Sequence, residues 1–210
     1  MLSPEEIRVA TLDIATIGKN LFVMDAAFLP GQMLIAMPSI GDPRFERSLI
    51  LICAHDSHHA MGIAVNRPVD GLTVPELLER LEIQATAPMD DDPVLIGGPV
   101  EVERGFVLHT DDYHAEHSLG VEGGLALTTT REVLEAMASH NRQPRRAILA
   151  LGYAGWGAGQ LEREIRENVW LTCDADEALI FDDDHETKWT RALAKLRIDP
   201  KFLSADGGRA

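Results

Sequence analysis

The chain is short of nearly every sequence signature that names a chemistry. Of its 210 residues only Cys53 and Cys173 are cysteine. They lie far apart beside apolar neighbours, which excludes a CxxC redox pair and a disulfide framework and fits a reducing compartment. HExxH, GxGxxG, a Walker lysine and a GxSxG elbow are all missing, so the patterns of a zincin, a dinucleotide site, a phosphate loop and an α/β-hydrolase nucleophile do not occur. No apolar run approaches the roughly eighteen residues that a membrane-spanning helix needs. The opening residues also lack the basic start and unbroken apolar core of a secretory signal, and a cytoplasmic location is expected. Basic charge is scarce: 19 Lys and Arg stand against 34 Asp and Glu, a net charge of −15. Such a field repels phosphate backbones and anionic lipid, which argues against nucleic-acid and membrane partners.

What is present is enough apolar material, 45% of the residues, to bury one full core. Residues 1–30 read as an N-terminal arm ending at the turn Pro30-Gly31, with Met24 a candidate natural start, and residues 31–210 as the domain. Within it, apolar runs of strand length recur: Met33–Met37, Leu49–Ala54, Met61–Val65, Val94–Ile96, Phe106–Leu108, Leu125–Leu127, Ala147–Leu151, Val169–Leu171 and Ala178–Phe181. Gly, Pro, Asp or Asn bound each of them, and many are continuously apolar, which implies burial on both faces. The link from Leu49–Ala54 to Met61–Val65 is too short for a crossover helix, so that pair is antiparallel.

Helices announce themselves by caps and stripes. Thr73 with Glu76 forms a capping box around Pro75, ahead of Leu77, Leu78 and Leu81, and Thr129 with Glu132 repeats the device ahead of Val133, Leu134 and Met137. Gln160–Asn168 carries Leu161 and Ile165, with Glu162–Arg166 and Arg163–Glu167 as surface pairs. Glu186–Arg197 aligns Trp189, Leu193 and Leu196. Together the antiparallel strand connections and the four helices predict an α+β fold in one domain, not a doubly wound βαβ array.

Gly152 to Ile165, GYAGWGAGQLEREI, is the most informative stretch. It reads as a glycine-rich turn from strand to helix on which Tyr153 and Trp156 must pack, against the fold or against a ligand. Glu162 and Glu164, in the first helical turn, compete there with any bound phosphate. Gly97-Gly98 between strands is compatible with an anion nest and equally with a bulge. Three histidines, His55, His58 and His59, share one loop, and His109, His114 and His117 cluster near Asp111 and Asp112. None has zinc-site spacing, so they read as loop and structural residues, and no metal or cofactor is implied.

The blocks GQMLIAMPSIGDPRFERSLILICAH (31–55), AMGIAVNRP (60–68), GGPVEVERGFVLH (97–109), LTTTREVLEAM (127–137) and LGYAGWGAGQLEREIRENVWL (151–171) together resemble the AlgH/YqgE family of bacterial proteins. The resemblance covers the chain from about Gly31 onward. It implies a compact α+β fold with a barrel-like or bifurcated sheet, and it carries no established activity. One family member has been held to regulate transcription of exopolysaccharide genes, a role that the acidic balance here does not favour.

The residues therefore point to a ligand-binding or protein-interaction module, its partner an unidentified small molecule or protein. The expected surface combines Asn66, Pro68, Gly97, Gly98, His109, Tyr153, Trp156 and Gln160. In it, Asn66, His109 and Gln160 supply hydrogen bonds and Trp156 supplies stacking. The alternatives are an enzyme acting on a small metabolite with His55 or His109 as base, and the transcriptional regulator.

Overall fold

Apolar runs cut off by Gly, Pro or acidic residues become strands in this computed structural model, which describes residues 28–139 and 143–203. Residues 1–27 of the expected arm, including Met24, lie outside the described residues. Ten strands are described: β1 (Gln32–Ala36), β2 (Leu49–His55), β3 (His59–Ala64), β4 (Pro68–Thr73), β5 (Pro93–Ile96), β6 (Val100–Thr110), β7 (Leu119–Val121), β8 (Leu125–Thr128), β9 (Ala147–Gly157) and β10 (Trp170–Asp174). Helices α1 (Val74–Arg80), α2 (Arg131–Met137), α3 (Gln160–Arg166), α4 (Glu177–Phe181) and α5 (Lys188–Lys195) pack around them. No helix among the described residues is long and apolar enough to cross a membrane.

The strands run in the order β10-β1-β2-β3-β9-β6-β8-β7. The expected hairpin of β2 and β3 is antiparallel, Leu51 facing Ile63. The sheet forks at β9. One edge of β9 pairs with β6, from His109↔Ala147 to Gly105↔Leu151. The other edge holds β5 in parallel at Ala150 and Leu151, then β3 antiparallel from Ala154 to Gly157. Gly152 stands at the fork with φ +71°, a left-handed backbone that glycine adopts without strain. The fold is thus α+β with a bifurcated, mostly antiparallel sheet.

Burial on both faces explains why β1 and β2 lack polar alternation. Met33, Ile35, Leu49 and Leu51 face one core with the apolar sides of α4 and α5. Leu34, Ile50 and Ile52 face another, with Leu161 of α3, Trp156 and Trp170. A third core joins Leu77 and Leu78 of α1 and Val133 and Leu134 of α2 to Val107, Leu149 and Leu151. Fully buried Lys188 donates from Nζ to the carbonyls of Val65 and Ile180, each at 2.9 Å, and burial pulls its pKa down to about 8.

Five local differences separate the structure from the sequence-based expectations. Ala178–Phe181 is helical, because Asp176 caps it by accepting the Leu179 N–H, a signal stronger than its short apolar run. The Thr73–Glu76 capping box is present, whereas α2 starts after Thr130 with no side-chain cap. The segment read as a turn after Gly152 continues as strand to Gly157, because pairing with β3 extends it. Strands β4 and β7 escape the sequence reading: β4 is largely exposed and opens on Pro68, and β7 is only three residues long. The expected Glu162–Arg166 pair does not form either: Arg166 donates to the Glu162 backbone carbonyl.

Candidate functional site

Two glycine segments cross where the sheet forks. A Cβ on Gly97 would stand 2.2 Å from the Gly152 carbonyl oxygen, and one on Gly98 would stand 2.1 Å from the Tyr153 carbonyl carbon. These are backbone-to-backbone approaches that only glycine permits. Gly97 also donates to the Leu151 carbonyl at 2.8 Å and accepts from the Ala64 N–H at 2.9 Å, which stitches β3 to β9. Of the two readings of this pair, anion nest or bulge, the space for an anion is filled by the protein's own backbone.

Beyond the crossing, β6 rejoins β9 only at Val100↔Tyr153, and the register shifts between Val100 and Gly105. This bulge, β3 and the distal half of β9 line an open hollow of about 360 Å³. Its walls are mainly Met61, Val100, Tyr153 and Trp156, with His59 and Glu101 at the polar side. A cavity of this size with aromatic walls and few polar groups has the character of a small-ligand site. Burial, then the neighbouring Glu101 charge, pushes the Tyr153 phenol above its ordinary pKa.

Arg104 lies in the bulge with 5% of its side chain exposed. Its Nη1 donates to Glu101 Oε2 at 2.9 Å, and the guanidinium sits 5.4 Å over the Phe106 ring. Its Nε and Nη2 have no partner. Each buried donor left open costs about 1–3 kcal/mol. The segment Arg104 to His109 was a candidate in the sequence, but Arg104 itself had no role there; the available signal was a cation two residues ahead of the buried run Phe106-Val107-Leu108.

Of the eight residues expected to share one surface, Tyr153 and Trp156 line the hollow, and the others are spent elsewhere. Asn66 accepts from the Leu49 N–H at 2.8 Å and donates to the Arg47 carbonyl at 2.9 Å, holding the Pro38–Arg47 loop to the end of β3. Gln160 accepts from the Gly157 N–H and donates to Glu164. Pro68 is exposed, opposite Leu95 in the β4–β5 pair. His109 is fully buried at the far end of the β6–β9 ladder, opposite Ala147. Asn66, Pro68 and His109 thus stand apart from the hollow, whereas Gly97 and Gly98 abut β9 at Gly152 and Tyr153 and Gln160 shares the Glu164 carboxylate with Trp156.

Both histidines considered as bases are occupied. A carbonyl can only accept, so His109 Nδ1 donates to Thr110 at 2.7 Å, leaving Nε2 to accept from the Thr128 hydroxyl at 2.8 Å. Burial holds its pKa below the ordinary histidine value. His55 Nδ1 accepts from the Leu29 N–H at 3.2 Å, so Nε2 carries the proton and donates to Glu162 at 3.1 Å. Neither ring has a free lone pair for a substrate proton. Among the described residues, no three His, Cys, Asp or Glu side chains converge as metal ligands. The Pro38–Arg47 loop borders a second, larger recess of about 530 Å³, where the Trp189 N–H is turned away to the Ala36 carbonyl at 2.8 Å.

The sequence profile of an AlgH-like family matches residues 33–201. A UPF0301 protein of Caulobacter vibrioides is 62% identical over 187 residues, covering 89% of this chain and 96% of that protein. One of Rhodospirillum rubrum is 50% identical, covering 87% and 95%. The solution structure of the AlgH protein from Pseudomonas aeruginosa superposes with a TM-score of 0.70 at 38% identity, covering 90% of this chain and all of that one. A crystal structure of a Corynebacterium diphtheriae protein shares the fold, with a TM-score of 0.64 at 19% identity, covering 84% and 92%.

Proposed function

This chain belongs to the AlgH-like family, and from that premise we propose that it is a ligand-binding module whose site is the hollow between β3, β9 and the β6 bulge. The observation that carries the reading is the aromatic and apolar wall of Met61, Val100, Tyr153 and Trp156 around about 360 Å³, a volume suited to a small metabolite. Binding is favoured over acid–base catalysis because His55 and His109 have both ring nitrogens engaged. It is favoured over nucleic-acid regulation because a net charge of −15 opposes phosphate contact. The same reading locates the protein in the cytoplasm, in keeping with two buried, unpaired cysteines.

The test fills the hollow. Gly155 lines it, and a Cβ there comes nearest to the Tyr153 ring at 3.2 Å and the Val100 side chain at 3.8 Å. In a thermal-shift screen of small metabolites, a true ligand at a hundred times its Kd stabilises the protein by about 2.7 kcal/mol. Gly155→Leu should abolish that shift while leaving the circular dichroism unchanged. A ligand that stabilises both proteins equally binds somewhere else, and the reading fails.

A further inference from the structure

We propose that the hollow takes an organic cation, its substituted ammonium head held by the Glu101 carboxylate beside aromatic walls; this rests on the binding-module reading and specifies the chemistry of its ligand. The space exists because of two glycines. His59 and Met61 of β3 stand opposite Gly157 and Gly155 of β9, and alternate residues of a strand share a face. Two side chains are thus missing across from His59 and Met61. Tyr153, next on that face of β9, forms the adjoining wall, its ring 3.2 Å from where a Gly155 Cβ would stand.

No lysine or arginine lines the hollow, whereas Glu101 does, with 43% of its side chain exposed. Its Oε2 accepts from Arg104 Nη1 at 2.9 Å, which leaves Oε1 open. Arg104 itself is sealed at 5% exposure, so the carboxylate is the charge that a ligand reaches. The ion pair does not cancel at the wall: after burial, the Glu101 charge does most to raise the Tyr153 pKa, and it outweighs the opposing charge of Arg104. His59 adds no net positive charge, because Asp56 Oδ1 stands 3.1 Å from its Nδ1 and balances the ring even when protonated. A substituted ammonium suits such a lining, since it is drawn to a carboxylate and to the faces of Tyr and Trp rings. Inorganic divalent cations are not served, because no three His, Cys, Asp or Glu side chains converge among the described residues. Anions are opposed by Glu101 and by the net charge of −15.

The probes are choline and the neutral alcohol in which a tert-butyl group replaces its trimethylammonium head. Each is titrated into the ¹⁵N-labelled full chain while the Gly155 amide and the indole N–H signals of the three tryptophans are followed. Choline should move the Gly155 and Trp156 signals saturably and bind about tenfold tighter than the alcohol. Glu101→Gln should erase that preference. Because Glu101 is also the counterion of buried Arg104, Tyr153→Leu supplies the test should Glu101→Gln fail to fold: it should weaken choline severalfold and hardly touch the alcohol. Equal affinity for the two probes would overturn the cation assignment while the hollow stands as a site. A choline response that survives Gly155→Leu would come from another surface and overturn it as well. No response to either probe would end the organic-cation reading, and the metabolite screen would then decide the hollow by itself.

Discussion

Glu164 accepts the indole N–H of Trp156 at 2.9 Å, and the same oxygen accepts the indole of Trp170 at 2.8 Å. The two indoles meet edge to face, centroids 5.8 Å apart, and the other carboxylate oxygen takes the Gln160 amide at 2.8 Å. One side chain thereby ties β9, α3 and β10 together. The glutamate read from the sequence as competing with a bound phosphate for the helix end is the acceptor that lets two large, nearly buried tryptophans keep their N–H groups satisfied.

Removing that acceptor strands two buried donors. Glu164→Ala should destabilise the protein by about 2–4 kcal/mol, and Glu164→Gln, which keeps a carbonyl oxygen, by roughly 1 kcal/mol. Urea unfolding followed by tryptophan fluorescence measures both. Equal losses would mean that the hydrogen bonds contribute little beyond packing.

At the backbone crossing, Gly98→Ala places a methyl group 2.1 Å from the Tyr153 carbonyl carbon. No rotamer relieves a clash with backbone, so the fork must open, at a cost of at least about 3 kcal/mol. The yield of soluble protein and the midpoint of urea unfolding report it; a variant within 1 kcal/mol of the parent would contradict the close approach.

Thr73 is a working cap, whereas Thr129, read from the sequence as one, lies a residue ahead of the Thr130 cap position. Thr73 accepts the Glu76 N–H in a complete capping box, and Thr73→Ala should cost about 1 kcal/mol. Thr129 is 3% exposed with its hydroxyl unpartnered, and Thr129→Val should be neutral or stabilising by up to roughly 1 kcal/mol. Thermal unfolding of the two variants should move in opposite directions or leave Thr129→Val unmoved.

His109 makes stability depend on pH in a definite direction. Its folded pKa lies below 6.5 because burial disfavours the cation, so on acidification the unfolded chain takes up a proton first. Above the unfolded value both states are neutral and the group contributes nothing. Between the unfolded value and the lowered folded value, stability falls as pH falls, by no more than about 1.4 kcal/mol per pH unit. His185 is shifted in the same direction, also chiefly by burial, so the comparison is with His109→Asn. Urea unfolding between pH 7.5 and 5 should show a shallower loss in the variant, and identical slopes would refute the assignment.

Residues close in sequence announced their own structure. The capping box at Thr73, the β2–β3 hairpin and the doubly buried runs of β1 and β2 follow from local hydrogen bonding, loop length and hydrophobic periodicity, and the motif order alone carried the family resemblance. The site did not follow, because each of its parts is settled by a partner far along the chain. Asn66 is consumed by Leu49 and Arg47, and His109 by Thr128. Gly97 is consumed by the backbone at Gly152. Arg104 gained its place only when β6 bulged away from β9. A sequence shows which groups can donate, accept or approach closely, but strand pairing across tens of residues decides which are used up by the fold and which are left open to a ligand.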